Sequence, residues 1–149
     1  MTLLDTNSVI RKYLTTASAE TNPLIALVGG IANPRIYCPR LPENTILPAV
    51  GFFTRGGTST PYIPDIPTPS VQFDCWAKDS ATEKGSVVAR NVYRKLYDAL
   101  QGIQNIKVSI GGVDYYILSA REEVQGQDLV DNEIQNYFRV LTFFEIKVR

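Results

Sequence analysis

The sequence predicts an α+β fold, in which a mostly antiparallel β-sheet packs against one long α-helix, about residues 80–101, with short N-terminal helices and long loops rich in proline and glycine. Apolar residues alternate along 71–78 and along 137–148, which is the period of a strand with one buried face. Between these strands they recur at helical spacing. The chain has 149 residues, of which 44% are hydrophobic, and we expect a single domain, 1–149.

The N-terminal part predicts two short helices. Residues Leu3 to Leu14 place their apolar side chains near a helical period, which indicates a modest amphipathic helix. A second helix is expected over Leu24–Val28, because Pro23 is tolerated in a first turn and Gly29-Gly30 would end it.

A proline-rich segment follows. Eight of the nine prolines lie between residues 32 and 69, which excludes a long helix there because proline fixes φ and lacks an amide donor. Short strands are predicted at Ile36-Tyr37 and at 48–54, and residues 55–70 are predicted to form a long loop. Long loops inside compact domains are usually functional or mobile.

The stretch from Val71 to Leu100 carries the strongest structural signal. Its strand places Val71, Phe73, Cys75 and Ala77 on one face, and Gln72, Asp74, Trp76 and Lys78 on the other. Ser80 and Glu83 form an S-x-x-E capping box, so the long helix is predicted to begin at Ser80. The predicted inner stripe of that helix is Ala81, Gly85, Val88, Ala89, Val92, Leu96, Ala99 and Leu100.

The C-terminal third predicts a hairpin, a loop and a long strand. Gly111-Gly112 separates alternating stretches at 106–110 and 113–119, which indicates a two-residue turn. Residues 122–135 are predicted to form a polar loop, and 137–148 the longest strand. The second face of that strand includes Tyr137, Leu141 and Phe143, so we expect it to be covered or to lie in an interface.

Composition argues against several classes of function. Fifteen lysine and arginine residues balance fifteen aspartate and glutamate residues, so a broad basic surface for duplex nucleic acid is not expected. The chain has no histidine, which removes the commonest general base and transition-metal ligand. The glycine-rich stretch 55–60 lacks the lysine of a phosphate-binding loop, and the acidic residues of 122–131 lack calcium-loop spacing. We therefore predict no enzyme, no cofactor and no metal site.

The cysteines and the apolar runs bear on location. Cys38 and Cys75 match no metal-binding spacing and are predicted to be buried or unpaired thiols, with a disulfide as the minority alternative. The sequence shows no export signal and no apolar run of about 18 residues, so a cytoplasmic, membrane-free protein is expected.

Three aromatic residues leave two interpretations open. Trp76 can close the edge of the core or anchor a partner. Tyr93 and Tyr97 lie one turn apart at the margin of the helix stripe, where they can cover the core or contact another subunit.

Four stretches, in the order of elements described above, carry a family resemblance. They are the segment LPAVGF at 47–52, the strand 71–76, the helix 89–100 with its exit into Gln101-Gly102, and the closing strand 138–148. This pattern resembles the tail terminator (tail completion) proteins of tailed bacteriophages. The resemblance implies a non-enzymatic virion protein, assembled in the host bacterial cytoplasm, that forms a ring, commonly a hexamer.

Such a ring caps the head-proximal end of the tail tube and joins it to a head–tail connector or stopper protein, while the genome can pass through without specific binding. In a ring of this kind, the loops 54–70 and 121–135 would supply contacts with tube, connector or neighbour. The candidate assembly residues are Arg55, Tyr62, Asp65, Trp76, Tyr93, Tyr97, Arg121, Glu122 and Glu123.

Two alternatives remain. The chain could be another neck protein, such as a stopper or adaptor, or a tail-tube subunit, because these proteins share the same assembly logic. It could also be a small ligand-binding or hydrolytic domain that uses residues 55–60 and the carboxylates of the second loop.

Overall fold

The computed structural model describes residues 4–58, 66–130 and 136–149, except for the side chain of Val130. Within these residues the helices are α1 (Thr6–Thr15), α2 (Asn22–Leu27) and α3 (Gly85–Leu100). The strands are β1 (Ile36–Tyr37), β2 (Ala49–Thr58), β3 (Thr68–Lys78), β4 (Gln104–Ile110), β5 (Val113–Val130) and β6 (Tyr137–Val148). The predicted α+β class is confirmed.

The strands form one sheet in the order β1-β2-β3-β6-β5-β4. Only β1 runs parallel to its neighbour, and every other pairing is antiparallel. The helix face of the sheet carries Phe52, Phe73 and Phe144, which are fully buried with their rings 5.4 Å and 5.8 Å apart in succession. The second face carries Gln72, Asp74 and Trp76 on β3 and the odd-numbered residues of β6.

Helix α1 begins at Thr6 rather than Leu3, because Asp5 caps it. The Asp5 carboxylate accepts hydrogen bonds from the Ser8 amide at 3.2 Å and from the Ser8 hydroxyl at 2.6 Å. The helix packs onto the core, and the Tyr13 hydroxyl donates to the Ala99 carbonyl at 2.6 Å. That bond ties α1 to the last turn of α3.

The predicted start of α3 at Ser80 is wrong by five residues. The Ser80 hydroxyl does accept from the Glu83 amide at 3.1 Å, but the two residues close a turn before the helix, and Ala81 is exposed. The helix instead begins at Gly85, whose amide donates to the Asp79 carboxylate at 2.7 Å.

Close approach explains the choice of Gly85. A Cβ at this position would lie 2.6 Å from both the Lys78 carbonyl carbon and the Phe138 ring. The chain can therefore enter α3 directly against β3 and β6 only without a side chain here.

The predicted loop over 122–135 is wrong for the part that the structure describes. Strand β5 continues to Val130 along β6, with register shifts between Glu122 and Gln127. Arg55 to Thr58, also predicted as loop, belong to β2, with a register shift before Gly57. The two-residue hairpin is confirmed, since Gly111 and Gly112 have φ values of 58° and 81°.

Other expectations concern thiols, membranes and metals. Cys38 and Cys75 are both free, as predicted, and Cys75 is buried. Burial raises the pKa of the Cys75 thiol well above its ordinary value. None of the three helices is long and apolar enough to cross a membrane. Across 4–58, 66–130 and 136–149, no group of three or more Cys, Asp or Glu is placed to hold a metal ion.

The two candidate caps of α3 can be separated by substitution. Asp79→Ala should lower the free energy of unfolding by about 1 kcal/mol, because it removes the acceptor of the first helical amide. Ser80→Ala is the matched control and should change it by less than about 0.5 kcal/mol. Urea denaturation followed by circular dichroism measures both. A larger loss in Ser80→Ala would restore the capping box as the helix start.

Tyr13 should give the fold an alkaline limit. Burial raises the pKa of Tyr13 to about 12 from its ordinary 10.0. Between these values the unfolded chain ionises at Tyr13 and the folded chain does not, so stability is lost as pH rises. The stability advantage of the wild type over Tyr13→Phe should therefore be constant below pH about 10 and shrink toward pH about 12. Urea denaturation of both proteins across this pH range measures the difference in their free energies of unfolding. A difference that does not change with pH would contradict the prediction.

Candidate assembly surfaces

The structure separates the nine predicted assembly residues. Tyr93, Tyr97 and Glu122 lie together between α3 and β5. Arg55 and Trp76 lie on the second face of the sheet, while Arg121 and Glu123 are exposed on β5. Tyr62 and Asp65 lie outside the described residues, so their placement stays a prediction.

A hydrogen-bonded cluster fixes Tyr93 against β5. Its hydroxyl donates to Glu122 Oε2 at 2.6 Å and accepts from the Gly126 amide at 3.1 Å. The same Glu122 oxygen accepts from the Thr142 hydroxyl of β6 at 2.8 Å. Burial, and then the hydrogen bond to Glu122, raise the pKa of the Tyr93 hydroxyl. Tyr93 therefore joins the helix to two strands.

Arg90 completes this cluster and was missed from the sequence, which placed it on the outer face of α3. Its guanidinium lies 5.1 Å from the centre of the Tyr93 ring and donates to the Gly126 carbonyl at 3.1 Å. It also lies 3.5 Å from the Asp128 carboxylate. A Cβ on Gly126 would come within 2.6 Å of the Tyr93 ring, so β5 approaches the ring closely there.

The two tyrosines therefore differ in role. Tyr93 is only 7% exposed, and its contacts support the interpretation as core margin. Tyr97 is 37% exposed, with the edge of its ring against Phe144 at 6.4 Å. A shallow cleft of about 290 Å³ beside Tyr97 is also lined by Arg94, Asp98 and Gln125.

Arg121 and Glu123 lie on the part of β5 beyond its pairing with β4. Arg121 pairs with Glu145 of β6 at 2.9 Å, and Glu123 accepts from the Ser70 hydroxyl at 2.7 Å. Both pairs are exposed, and such contacts contribute little to stability. These charged groups remain accessible to a partner.

The second face is organised around a row of polar and aromatic side chains. Arg139 lies over the Trp76 ring at 5.0 Å and 3.8 Å from the Asp74 carboxylate. Gln72 donates to both Asp74 oxygens at 3.2 and 3.3 Å, and accepts from Arg55 at 3.2 Å. The row therefore links β2, β3 and β6.

Gln72 and Asp74 lie on the second face, as the alternation predicts, but they are not exposed to solvent. Each is only 9% exposed, because the row of side chains covers them and the segment 39–47 crosses this end of the sheet. Burial raises the pKa of the Asp74 carboxyl, although Arg139 and Gln72 act in the opposite direction. The ion pair at 3.8 Å thus compensates the buried charge only in part.

A cavity of about 500 Å³ opens over this row. Its floor includes Phe53, Asp74 and Trp76, and its walls include Leu41, Arg40 and Arg139. Arg40 is exposed at the cavity and forms no ion pair with any described residue. The sequence indicated the place through the apolar second face of β6, but not the cavity, because its wall comes from a segment without regular structure.

Comparison with known proteins gives a likeness of fold. The chain is similar to a chain of the structure described as "Virion of native gene transfer agent (GTA) particle", with a TM-score of 0.60 and 14% sequence identity. The match covers 95% of this chain and 92% of the other. No protein-family model matches the sequence, and no curated protein matches it. The two chains share a fold over nearly their full lengths.

Tyr93→Phe should be destabilising and Tyr97→Phe should not. The first change removes the donor to Glu122 and the acceptor of the Gly126 amide, which we expect to lower the free energy of unfolding by about 1–3 kcal/mol. The Tyr97 hydroxyl forms no hydrogen bond with the described residues, so the matched change should alter it by less than about 0.5 kcal/mol. Urea denaturation of both variants is the measurement. Equal changes in the free energy of unfolding of the two variants would show that the hydrogen bonds of Tyr93 do not stabilise the packing of β5.

Proposed function

We propose that this chain is a single-domain, non-enzymatic structural subunit of a phage-like virion, and that it forms a ring at the head-proximal end of a tail tube. The observation that carries the proposal is the fold shared with a chain of a gene transfer agent virion across 95% of this chain. The sequence resemblance to tail terminator proteins supplies the specific role. That role is to stop tube polymerisation and to join the tail to the head connector.

The margins of the sheet support assembly. On β2, β1 pairs only with Val50 and Gly51, which leaves the rest of that edge without a strand among the described residues. On β5, β4 pairs only as far as Ser119, but α3 and the residues after it cover the side beyond, where the Glu122 amide donates to Gln101 and the Gly126 amide donates to Tyr93. The strand-free part of the β2 edge is therefore the margin that suits a contact with a different surface of a neighbouring copy, and such a contact closes into a ring when the rotation per subunit permits.

The second face supports the same role. It combines partly buried aromatic rings with arginine side chains, the residue types enriched in protein interfaces. In the proposed ring, the partners that the resemblance implies are a neighbouring copy, the tail-tube protein and the connector or stopper protein. The proposal involves no cofactor, no membrane and no sequence-specific contact with the genome.

A tail-tube subunit is the second candidate, because an open margin also suits an open-ended polymer. A stopper or adaptor would bind the connector without capping tubes. These roles differ in the product of assembly rather than in the fold of the subunit.

The decisive experiment images the purified protein with tail tubes that lack their terminator. We expect a ring on one end of each tube and an arrest of further polymerisation, with a multimer larger than a dimer in light scattering. Open-ended tubes formed by the protein alone would favour the tube subunit. A chain that stays monomeric from micromolar to millimolar concentration and leaves the tubes uncapped would overturn the proposal.

A further inference from the structure

We propose that the exposed surface formed by Tyr97 and Asp98 of α3 docks into the second-face cavity of a neighbouring copy of this chain. The inference rests on the proposed ring and names the contact that builds it. Both surfaces consist of residues that the structure describes.

Tyr97 is the aromatic side chain that the fold leaves accessible. Of the aromatic residues within 4–58, 66–130 and 136–149, it alone is exposed rather than buried or half-buried. Its ring edge contacts Phe144 from α3, while its hydroxyl forms no hydrogen bond with the described residues. Such a tyrosine offers a partner both apolar area and a hydrogen-bond donor, which is why tyrosine is enriched in protein interfaces.

The cavity can hold an aromatic side chain. Phe53, Trp76 and Tyr137 supply rings around a space of about 500 Å³, which is within the usual range for binding pockets. Aromatic rings that meet in such a space are attracted beyond the area that they bury. A tyrosine from a neighbour therefore finds partners of its own kind.

Asp74 gives that tyrosine a hydrogen-bond acceptor. It lines the cavity and is 9% exposed, so its charge depends on nearby donors. Its own subunit supplies only long contacts, from Gln72 at 3.2 and 3.3 Å and from Arg139 at 3.8 Å. The neighbour's Tyr97 hydroxyl would supply the short donor that this carboxylate lacks.

Two unpaired charges also match. Asp98 is exposed and forms no ion pair with a described residue, although Arg94 lines the same cleft. Arg40 is exposed at the cavity and likewise has no ionic partner in the described chain. The cavity is lined by two arginines and one carboxylate, which leaves one positive charge in excess. A carboxylate from a neighbour is therefore attracted there.

The sheet prevents this contact within one subunit. Helix α3 packs on the helix face, where Tyr97 contacts Phe144. The cavity opens on the opposite face, over Asp74 and Trp76. Because the sheet lies between the two surfaces, only a second copy can bring them together.

This contact has a direction. It joins two different surfaces of the same chain, so a pair of copies still presents one free helix surface and one free cavity. Further copies can add in the same way, and the contact is heterologous. Its closed form is a ring.

Reversal of the two matched charges tests the contact. Asp98→Arg changes the helix surface, and Arg40→Asp changes the cavity. An arginine in the last turn of a helix is favourable, so the first change should not disturb α3. Glu20→Arg is the control, because it reverses an exposed carboxylate that lines neither surface. Circular dichroism shows whether each variant is folded.

We expect each of the two variants alone to be monomeric by native mass spectrometry, because like charges then meet in every contact. Glu20→Arg should assemble as the wild type does. An equimolar mixture of the two variants should also assemble, with both chains in equal numbers. In that mixture the introduced guanidinium meets the introduced carboxylate, and the unchanged Asp98 meets the unchanged Arg40.

Three results would overturn the inference while leaving the proposed function standing. Either variant alone could assemble as the wild type does, which would show that these charges do not meet. The mixture could stay monomeric, which would show that the charges do not match in pairs. The control could lose assembly, which would attribute the effect to net charge rather than to this contact.

Tyr97→Phe tests the hydrogen bond to Asp74 without a change of charge. Trp76 is the only tryptophan of the chain and lines the cavity, so its fluorescence should change as the wild type assembles with rising concentration. In Tyr97→Phe the midpoint of that change should move to about tenfold higher concentration, because a hydrogen bond to a carboxylate is lost. An unchanged midpoint, or a wild-type emission that does not respond to assembly, would overturn the inference.

Failure of the proposed function gives a different result. A wild-type chain that stays monomeric from micromolar to millimolar concentration and leaves tail tubes uncapped would overturn the proposed function. The inference would then fall with it, because no contact between copies would exist.

Discussion

The contact between α3 and the central strands β3 and β6 is the constraint on which the fold depends. Phe144 lies at its centre, with Phe73 at 5.8 Å on one side and Tyr97 at 6.4 Å on the other. Gly85 lets the helix start directly against Lys78 and Phe138. Because β6 is the last of the described strands in sequence but lies in the middle of the sheet, the core is complete only when β6 is inserted between β3 and β5.

The helices bury one face of the sheet. The other face carries aromatic side chains and is covered by few other elements. On the second face, guanidinium groups lie over three aromatic rings, at 5.0 Å for Arg139 and Trp76, 5.3 Å for Arg55 and Phe143, and 5.7 Å for Arg149 and Tyr116. A guanidinium is more weakly hydrated than an ammonium and can cover a ring while remaining wet. The second face thereby carries charged groups over its rings, and in the proposed ring this surface could be buried against a neighbour.

Local sequence patterns predicted the bounds of elements in which buried residues recur periodically. They failed where a residue distant in sequence determines the bound of an element. The bounds of β6 were predicted in full, since its inward residues alternate without interruption. The start of α3 was not, because the steric reason for Gly85 is Phe138, which lies far along the chain. The extension of β5 was hidden by polar residues such as Glu122, which are held on the helix face only by partners from α3 and β6.

The position of the candidate site on the second face could be predicted from the sequence, but the contacts within it could not. The apolar second face of β6 indicated an interface, and Trp76 was identified, whereas the pair of buried Asp74 and half-buried Arg139 required the tertiary structure. In the proposed ring, a neighbour that covers this pair removes water from it, which strengthens the attraction and raises the desolvation cost together. The net gain in affinity is then small, but a neighbour placed out of register leaves a buried carboxylate poorly compensated. The pair would therefore determine the register of the contact more than its strength.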